Sequence, residues 1–559
     1  MLGRREFLAF AAAAAAGLGL PRLGNAARRA VSLDDLLAFQ PLGQVTVLHF
    51  TDLHAQLLPL YFREAAVNIG LGELADRPPR LAGRRLLERL GIAAGSLEAY
   101  MLASEDFAGL AEAFGPIGGL DRLATLIAAI RAERGDRVLL FDGGDSFQGA
   151  YTTLATAGGD LLRTLNLLRL DGMTGHWEFT LGEARWREIV AGLNCPFLAA
   201  NVRERDFEDP VFEAARILER GGLAIGVIGQ AFPYTPIANP AWLIPNWTFG
   251  IRHEALRQEV ARLCQAKVDL VVLLSHNGFD VDHKLARLVP GIDVILSGHT
   301  HDALPTPVLV RDTLIVASGS HGKFLSRLDL DVRGRRIADW RYRLIPVLAD
   351  AIAPEPVMAR TIAEIRAPFA AMLAEPVART ETLLYRRGNF NGTADDLICD
   401  ALLSELDAEI AFSPGFRWGA TLLPGQNITV EDVYSLTAIS YPGTSRRVLT
   451  GAEIKAILED VADNLFNPDP FYRQGGDMVR AGGLGFSIRP AAAMGERIGD
   501  LTLSLSGEPL AAAKSYAVAG WAQVAQPSAG EPIYDLLLRH LKRRGTVSIE
   551  DRQTVRIRA

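Results

Sequence analysis

Four times in this chain a short apolar run of strand character stops at a cluster of histidine and aspartate. Val45-Thr46-Val47-Leu48-His49-Phe50 gives way to Thr51-Asp52-Leu53-His54, and Arg137-Val138-Leu139-Leu140-Phe141 to Asp142-Gly143-Gly144-Asp145. Val268 to Leu274 is followed by Ser275-His276-Asn277-Gly278, and Ile292 to Ser297 by Gly298-His299-Thr300-His301. These runs, with another from Leu223 to Gly229, alternate with helical spacing at Leu120 to Arg131 and Ile251 to Ala266. The alternation predicts an α/β domain with helices layered on sheet. In such sheets the loops beyond the carboxyl ends of the strands converge on one crevice. The four clusters are expected to meet there.

What they bring is a donor set. Asp-x-His and His-x-His each place two ligands on one extended loop, and a carboxylate can bridge two cations. Mixed histidine and aspartate ligation suits manganese, iron or zinc. Two such ions roughly 3.5–4 Å apart are a recurring device for activating water against phosphoryl-type esters.

Composition limits the alternatives. At 559 residues, 49% apolar and 22% charged, the chain has material for two to four folded domains and is not disordered. A net charge of −7 with no basic block gives no footprint for nucleic acid. Three distant cysteines (Cys195, Cys264, Cys399) exclude a zinc knuckle, an iron–sulfur cluster and a disulfide framework. Residues 1–27 read as an export leader: Arg4-Arg5 before Phe7-Leu8 resembles a twin-arginine signal, and Gly24-Asn25-Ala26-Ala27 offers a cleavage site. The apolar stretch Phe7 to Leu20 is too short to span a bilayer, which needs roughly 20 residues. The expected product is periplasmic, exported folded, without stable membrane anchoring, and monomeric.

Pro354 and Pro356 punctuate a change of composition. We place an N-terminal domain at 44–350 with a polar helical insertion at about 71–115. A linker helix is expected over 351–380 (Val357 to Leu373 as one helix), and a second domain over 381–559.

Together, Asp52-x-His54, Gly143-Gly144-Asp145, Gly175-His176-Trp177-Glu178-Phe179, Ser275-His276-Asn277-Gly278 and Gly298-His299-x-His301 resemble the five blocks of the calcineurin-like metallophosphoesterases, and more narrowly the 5′-nucleotidase branch. The resemblance implies a four-layer N-terminal domain, helices around two packed sheets, and an α+β C-terminal substrate domain. It also implies two metal sites, Asp52, His54, Asp145 and His301 in one and Asp145, His176, His276 and His299 in the other, with Asp145 bridging.

The third block departs from the nucleotidases, which have Gly-Asn-His-Glu-Phe-Asp. Here His176 stands for the asparagine ligand, Trp177 for the catalytic histidine and Thr180 for the aspartate that orients it. An indole transfers no proton. The altered block resembles the SoxB family of thiosulfohydrolases, as do Phe50 to Leu57, Arg386-Arg387-Gly388-Asn389-Phe390-Asn391-Gly392 and Gln474 to Arg480. That resemblance implies hydrolysis of the terminal sulfonate of a cysteine-bound thiosulfonate on the carrier SoxYZ, with manganese as the metal. It gives Trp177, Arg417 and Asp145 catalytic roles, with Arg417, Trp177, Arg386, Arg387 and Tyr472 contacting substrate. Arg386 and Arg387 are otherwise read as solvated charges, as are His253, His283 and His540. His49 is read as a core histidine, Asp142 as a partner of the ligands, Asn201 as a ligand-orienting or turn-capping residue, and His321 as a contact outside the ligand set. Two other readings stay open: an exported nucleotidase or cyclic-nucleotide phosphodiesterase, and a silent binding scaffold.

Overall fold

Strand register decides where the loops arrive. The computed structural model describes residues 31–558, so the expected leader lies outside the described residues. The chain divides into two compact units. The first takes the described residues up to Leu60, then Arg84–Gln148 and Ala155–Ala367; the second takes Tyr61–Gly83, Gly149–Leu154 and everything from Pro368 onward.

The first unit holds β1 (Val45–Phe50), α1 (Leu120–Arg134), β2 (Val138–Asp142), α2 (Gly159–Leu168), β3 (Gly172–Met173), β4 (Ala215–Arg220) and β5 (Leu223–Gln230). There follow α3 (His253–Gln265), β6 (Leu270–Ser275), α4 (Phe279–Leu288), β7 (Val294–Ser297), β8 (Val308–Val310), β9 (Thr313–Ala317), β10 (Phe324–Arg333), β11 (Arg336–Pro346) and α5 (Pro356–Arg366). One sheet has the order β11-β10-β1-β2-β3, the other β8-β9-β7-β6-β5-β4. Their central strands are parallel, and every residue of β1, β2, β6, β7 and β9 is buried. Strands covered on both faces read as unbroken apolar runs, which is why they were legible. Helices α1, α2 and α5 pack together, with α1 against the first sheet, while α3 and α4 back the second. Phe50 pairs with Asp142, and Ser275 with both Ser297 and Gln230, so neighbouring strands end level.

The second unit is α+β. Its largest sheet has the order β13-β15-β12-β14, from β12 (Ile410–Ser413), β13 (Thr444–Thr450), β14 (Arg480–Gly482) and β15 (Ser515–Trp521). Helix α6 (Thr393–Glu405) lies on β12 and β14. Helix α7 (Gly451–Phe466) contributes Ile454, Leu458 and Phe466 to a core shared with Phe486 and Tyr516.

Four expectations need correcting. The helix expected from Val357 to Leu373 is two, α5 and a short helix at Ala370–Leu373, because Pro368 has no N–H to give and disfavours helix before it. Helix α5 is no linker: it buries Met358, Ile362 and Ile365 within the first unit. The stretch 71–115 is not one polar insertion. Residues up to Gly83 join the second unit, and the helices beyond bury Leu97, Tyr100, Met101, Phe107 and Leu110; the charges of Arg84, Arg85, Glu88 and Arg89 line only their outer face. His540 is buried, 2.9 Å from Glu405, because it shares its helix face with Ile533, Leu537 and Leu541.

Candidate metal centre

The loops after β1 and β2 are zipped together by backbone alone. Asp52 N–H donates to Gly144 O at 2.8 Å, His54 N–H to Asp145 O at 2.9 Å and Ala55 N–H to Ser146 O at 3.0 Å. The zip holds Asp52, His54, Ala55 and Asp145 in the left-handed region, at φ 52°, 48°, 55° and 59°. His299 (φ 75°) and His301 (φ 56°) share it, so five of the seven expected ligands are left-handed. Side chains other than glycine avoid this region at a cost of roughly 1–2 kcal/mol each, and such strain gathers at functional sites. Two glycines let the loops close. A Cβ on Gly143 would lie 2.4 Å from Thr51 Oγ1, and one on Gly298 would lie 2.9 Å from His276 Nδ1.

Seven side chains then converge in the first unit. Asp145, His176, His276 and His299 form one group, and Asp52, His54, Asp145 and His301 another; the ligand atoms in each lie within 4.8 Å of one another and all are buried. Asp145 belongs to both. His276 Nε2 is 3.1 Å and His176 Nδ1 3.3 Å from Asp145 Oδ2, while His301 Nε2 is 3.2 Å from Asp52 Oδ1. His276 Nδ1 lies 2.6 Å from the Gly143 carbonyl, which fixes the tautomer and leaves Nε2 toward the carboxylates. Asp52 Oδ2 accepts from Thr51 Oγ1 at 2.7 Å and His299 N–H at 3.0 Å, and Asp145 Oδ1 from Trp177 N–H at 2.8 Å.

The electrostatics ask for cations. Burial disfavours charge on His276, yet Asp145 and Asp52 outweigh it and lift the imidazole to about 10. Burial would raise Asp145, but His176 and His276 hold it well below the ordinary carboxylate range. A buried donor set of two carboxylates and five imidazoles, with nitrogens and oxygens turned toward one another, fits two divalent ions.

Around this set stand Glu178 and Phe232, to which the sequence assigns no role, and Asn201 and His321, to which it does. Glu178 accepts from His176 N–H at 2.6 Å and Ser146 N–H at 2.7 Å, stapling the third block to the second. The Phe232 ring lies 4.0 Å from that of His176 and 4.1 Å from that of His299. Asn201 grips the backbone beside it, its amide taking Ala231 N–H at 2.9 Å and giving to Ala231 O at 2.7 Å. Phe232 falls just past the end of β5, so the strand-end rule that found the histidines marks its position, though not its role. His321 is buried, left-handed (φ 58°), 5.4 Å from the His54 ring, and its N–H donates to Asp52 O at 2.8 Å.

The remaining expected residues fall as follows. Trp177 is buried beside the centre, with its ring 5.4 Å from that of His176, and Thr180 gives its hydroxyl to Trp177 O at 2.7 Å. Asp142 is buried and holds Gly144 N–H and Ser146 Oγ. His49 is a buried core histidine 2.6 Å from Ser318 Oγ, driven down to about 3 by burial and by the charge of His276. Arg417, Arg386, Arg387 and Tyr472 belong to the second unit. Contrary to the solvated reading, Arg386 and Arg387 are buried: Arg386 pairs with Asp395 at 2.9 Å, and Arg387 lies 3.7 Å from Glu64. Burial is possible because carboxylates of the same unit meet them. Tyr472 is 66% exposed and Arg417 half-buried.

The sulfate thiohydrolase SoxB of Thermus thermophilus superposes with a TM-score of 0.90 at 38% identity, covering 93% of this chain and 97% of that one. The chain belongs to the SoxB family. A 5′-nucleotidase precursor, also from Thermus thermophilus, shares the fold of this SoxB-family chain, with a TM-score of 0.73 at 21% identity over 92% of this chain and 99% of that one. The model of the 5′-nucleotidase C-terminal domain matches residues 376–533. The 5′-nucleotidase of Rattus norvegicus is 27% identical over 325 residues, 52% of this chain and 54% of that protein. The chain thus spans about half the length of the curated relatives it matches.

Proposed function

We propose that this SoxB-family chain is a thiosulfohydrolase that cleaves the terminal sulfonate from a cysteine-bound thiosulfonate on the carrier protein SoxYZ and releases sulfate. The observation that carries the reading is Trp177. It occupies the position of the nucleotidases' catalytic histidine, buried beside His176 and fastened through its backbone N–H to Asp145.

Two divalent cations, held by the two groups that share Asp145, supply Lewis acidity and an acidified water when bound. We take them to be manganese, with zinc or iron compatible with the same donors. The chain's own residues do the rest. Glu178 and Phe232 hold His176 in place, and the Gly143 carbonyl fixes the tautomer of His276. Trp177 gives the sulfur chain an apolar wall and takes no proton. A sulfonate carries one negative charge where a phosphate monoester carries about two, so less cationic help is needed. A persulfide leaving group is far less basic than an alkoxide and departs without a general acid. In the second unit, Arg417 is the arginine whose planar guanidinium suits a sulfonate oxygen pair. Arg386, paired with Asp395, supports the loop carrying Arg387.

The same reading places the protein in the periplasm, exported through the twin-arginine route; no helix among the described residues is long and apolar enough to cross a membrane. The test is to incubate metal-loaded protein with thiosulfonate-charged carrier and measure sulfate, with AMP in a parallel arm. Sulfate release without phosphate release is expected. Phosphate from AMP at enzymatic rates, with no sulfate, gives the nucleotidase reading instead.

A further inference from the structure

Beneath His276 and His299 the second sheet ends in polar side chains where its interior is apolar. Gln230, Ser275 and Ser297 close β5, β6 and β7 in register, each at most 1% exposed. Asp282, in the first turn of α4 and fully buried, binds them together. Its Oδ1 accepts from Ser275 Oγ at 2.7 Å and from Asn277 Nδ2 at 3.2 Å, and its Oδ2 from Ser297 Oγ at 2.6 Å. Asn277 Nδ2 also donates to Gln230 Oε1 at 2.6 Å. The same strand ends fix the backbone: His276 N–H donates to Gln230 O and Gly298 N–H to Ser275 O, both at 2.8 Å.

A buried carboxylate held only by hydroxyls and an amide is costly, and apolar side chains would close a sheet more favourably. Each serine that Asp282 grips sits immediately before a metal block: Ser275 precedes His276, and Ser297 lies two residues before His299. The grip ties the two launch points to one rigid carboxylate. His301, further along, has its own anchor, since Ala303 bridges to Ser318 and Gly319 N–H donates to Asp302 O at 2.8 Å.

We propose that Asp282 is a positioning residue of the metal centre that aims His276 and His299, and so sets the affinity of the group Asp145, His176, His276 and His299 apart from that of its neighbour. The inference rests on the two-ion reading above. Outer partners of this kind typically change metal affinity about 10- to 100-fold.

The experiment is calorimetric titration of Mn2+ into metal-free protein, with bound metal counted by elemental analysis, for wild type, Asp282→Asn and the double variant Ser275→Ala with Ser297→Ala. Asparagine keeps the shape but turns an N–H toward donors. The expected result is that wild type binds two ions, while each variant keeps one at wild-type affinity and binds the other about 10- to 100-fold more weakly. Melting of the metal-free proteins separates this from a general loss of stability, which would weaken both ions alike. Equal weakening of both ions, or two unchanged affinities, overturns the role of Asp282. A wild type that binds fewer than two ions overturns the two-ion reading itself. If Asp282→Asn fails to fold, the serine double variant decides by the same split.

Discussion

His54 and His301 face each other nitrogen to nitrogen, Nε2 to Nε2, at 2.9 Å. Two neutral imidazoles sit this way when one donates its Nε2–H to the other's lone pair, or when both lone pairs turn toward one cation, and Asp52 beside them favours the cation. With the backbone torsions of the ligand loops already set, these nitrogens and carboxylate oxygens are arranged in advance for an ion that binds the folded chain and not the unfolded one.

Chelation should therefore cost stability as well as turnover. An ion at about 100 times its dissociation constant adds roughly 2.7 kcal/mol, and at ~2–4 °C per kcal/mol its removal lowers Tm by about 5–10 °C. Differential scanning calorimetry with and without EDTA, followed by Mn2+ add-back, measures the shift. No change in Tm would mean that the seven side chains do not hold an ion.

Restoring the nucleotidase dyad should move the activity. In the double variant Trp177→His with Thr180→Asp, a proton donor faces the leaving group again, and general acid catalysis is worth about 10²–10⁴-fold. Hydrolysis of AMP or p-nitrophenyl phosphate is expected to rise at least ~10-fold while sulfate release from the charged carrier falls. Unchanged rates on both substrates would remove the reason for the indole.

Glu178→Ala removes one carboxylate from two buried N–H groups, those of His176 and Ser146. At about 1–3 kcal/mol for each stranded donor, unfolding in urea should show a loss of roughly 2–6 kcal/mol. Glu178→Gln keeps one acceptor and should lose about half as much. A variant as stable as wild type would show that the staple contributes nothing.

Asp293, just before β7 and accepting Val271 N–H at 2.7 Å, gives a pH signature outside the candidate metal centre. Burial raises its carboxyl to about 6, with the Val271 N–H opposing and Asp312 adding a little. Below the unfolded value of 3.8 the group is protonated in both states and contributes no pH dependence. Between there and about 6 the unfolded chain ionises first, so stability falls as pH rises, and above 6 the penalty stays constant. Asp293→Asn should be more stable than wild type at pH 7 and indistinguishable from it at pH 3. Parallel melts across that range test the sign, and an advantage largest at pH 3 would refute it.

Much of this molecule could be read before it was folded. The parallel strands announced themselves because both faces are buried, and the ligand blocks because each begins where such a strand stops. Glu178 was quoted in its motif without a role, since nothing in a sequence says which N–H groups a carboxylate will meet. Phe232, one apolar residue among many, gains meaning only by lying against His176 and His299. Arg386 reads as a surface charge until Asp395, nine residues later and one helical turn in, is seen to face it. His540 misled for the opposite reason: its neighbours Arg539 and Arg543 suggested solvent, whereas they and the ring all meet Glu405.

The three backbone rungs that join residues 52–55 to residues 144–146 have a temporal meaning. Those three bonds form only when the two stretches meet across some ninety intervening residues, at a loop-closure cost that grows only slowly with length. A nascent chain that ends before the second strand holds half a cradle and no grip on an ion. Asp145 is shared by both ligand groups, and the one that also holds Asp52 and His54 is not complete until the first and second strands lie side by side.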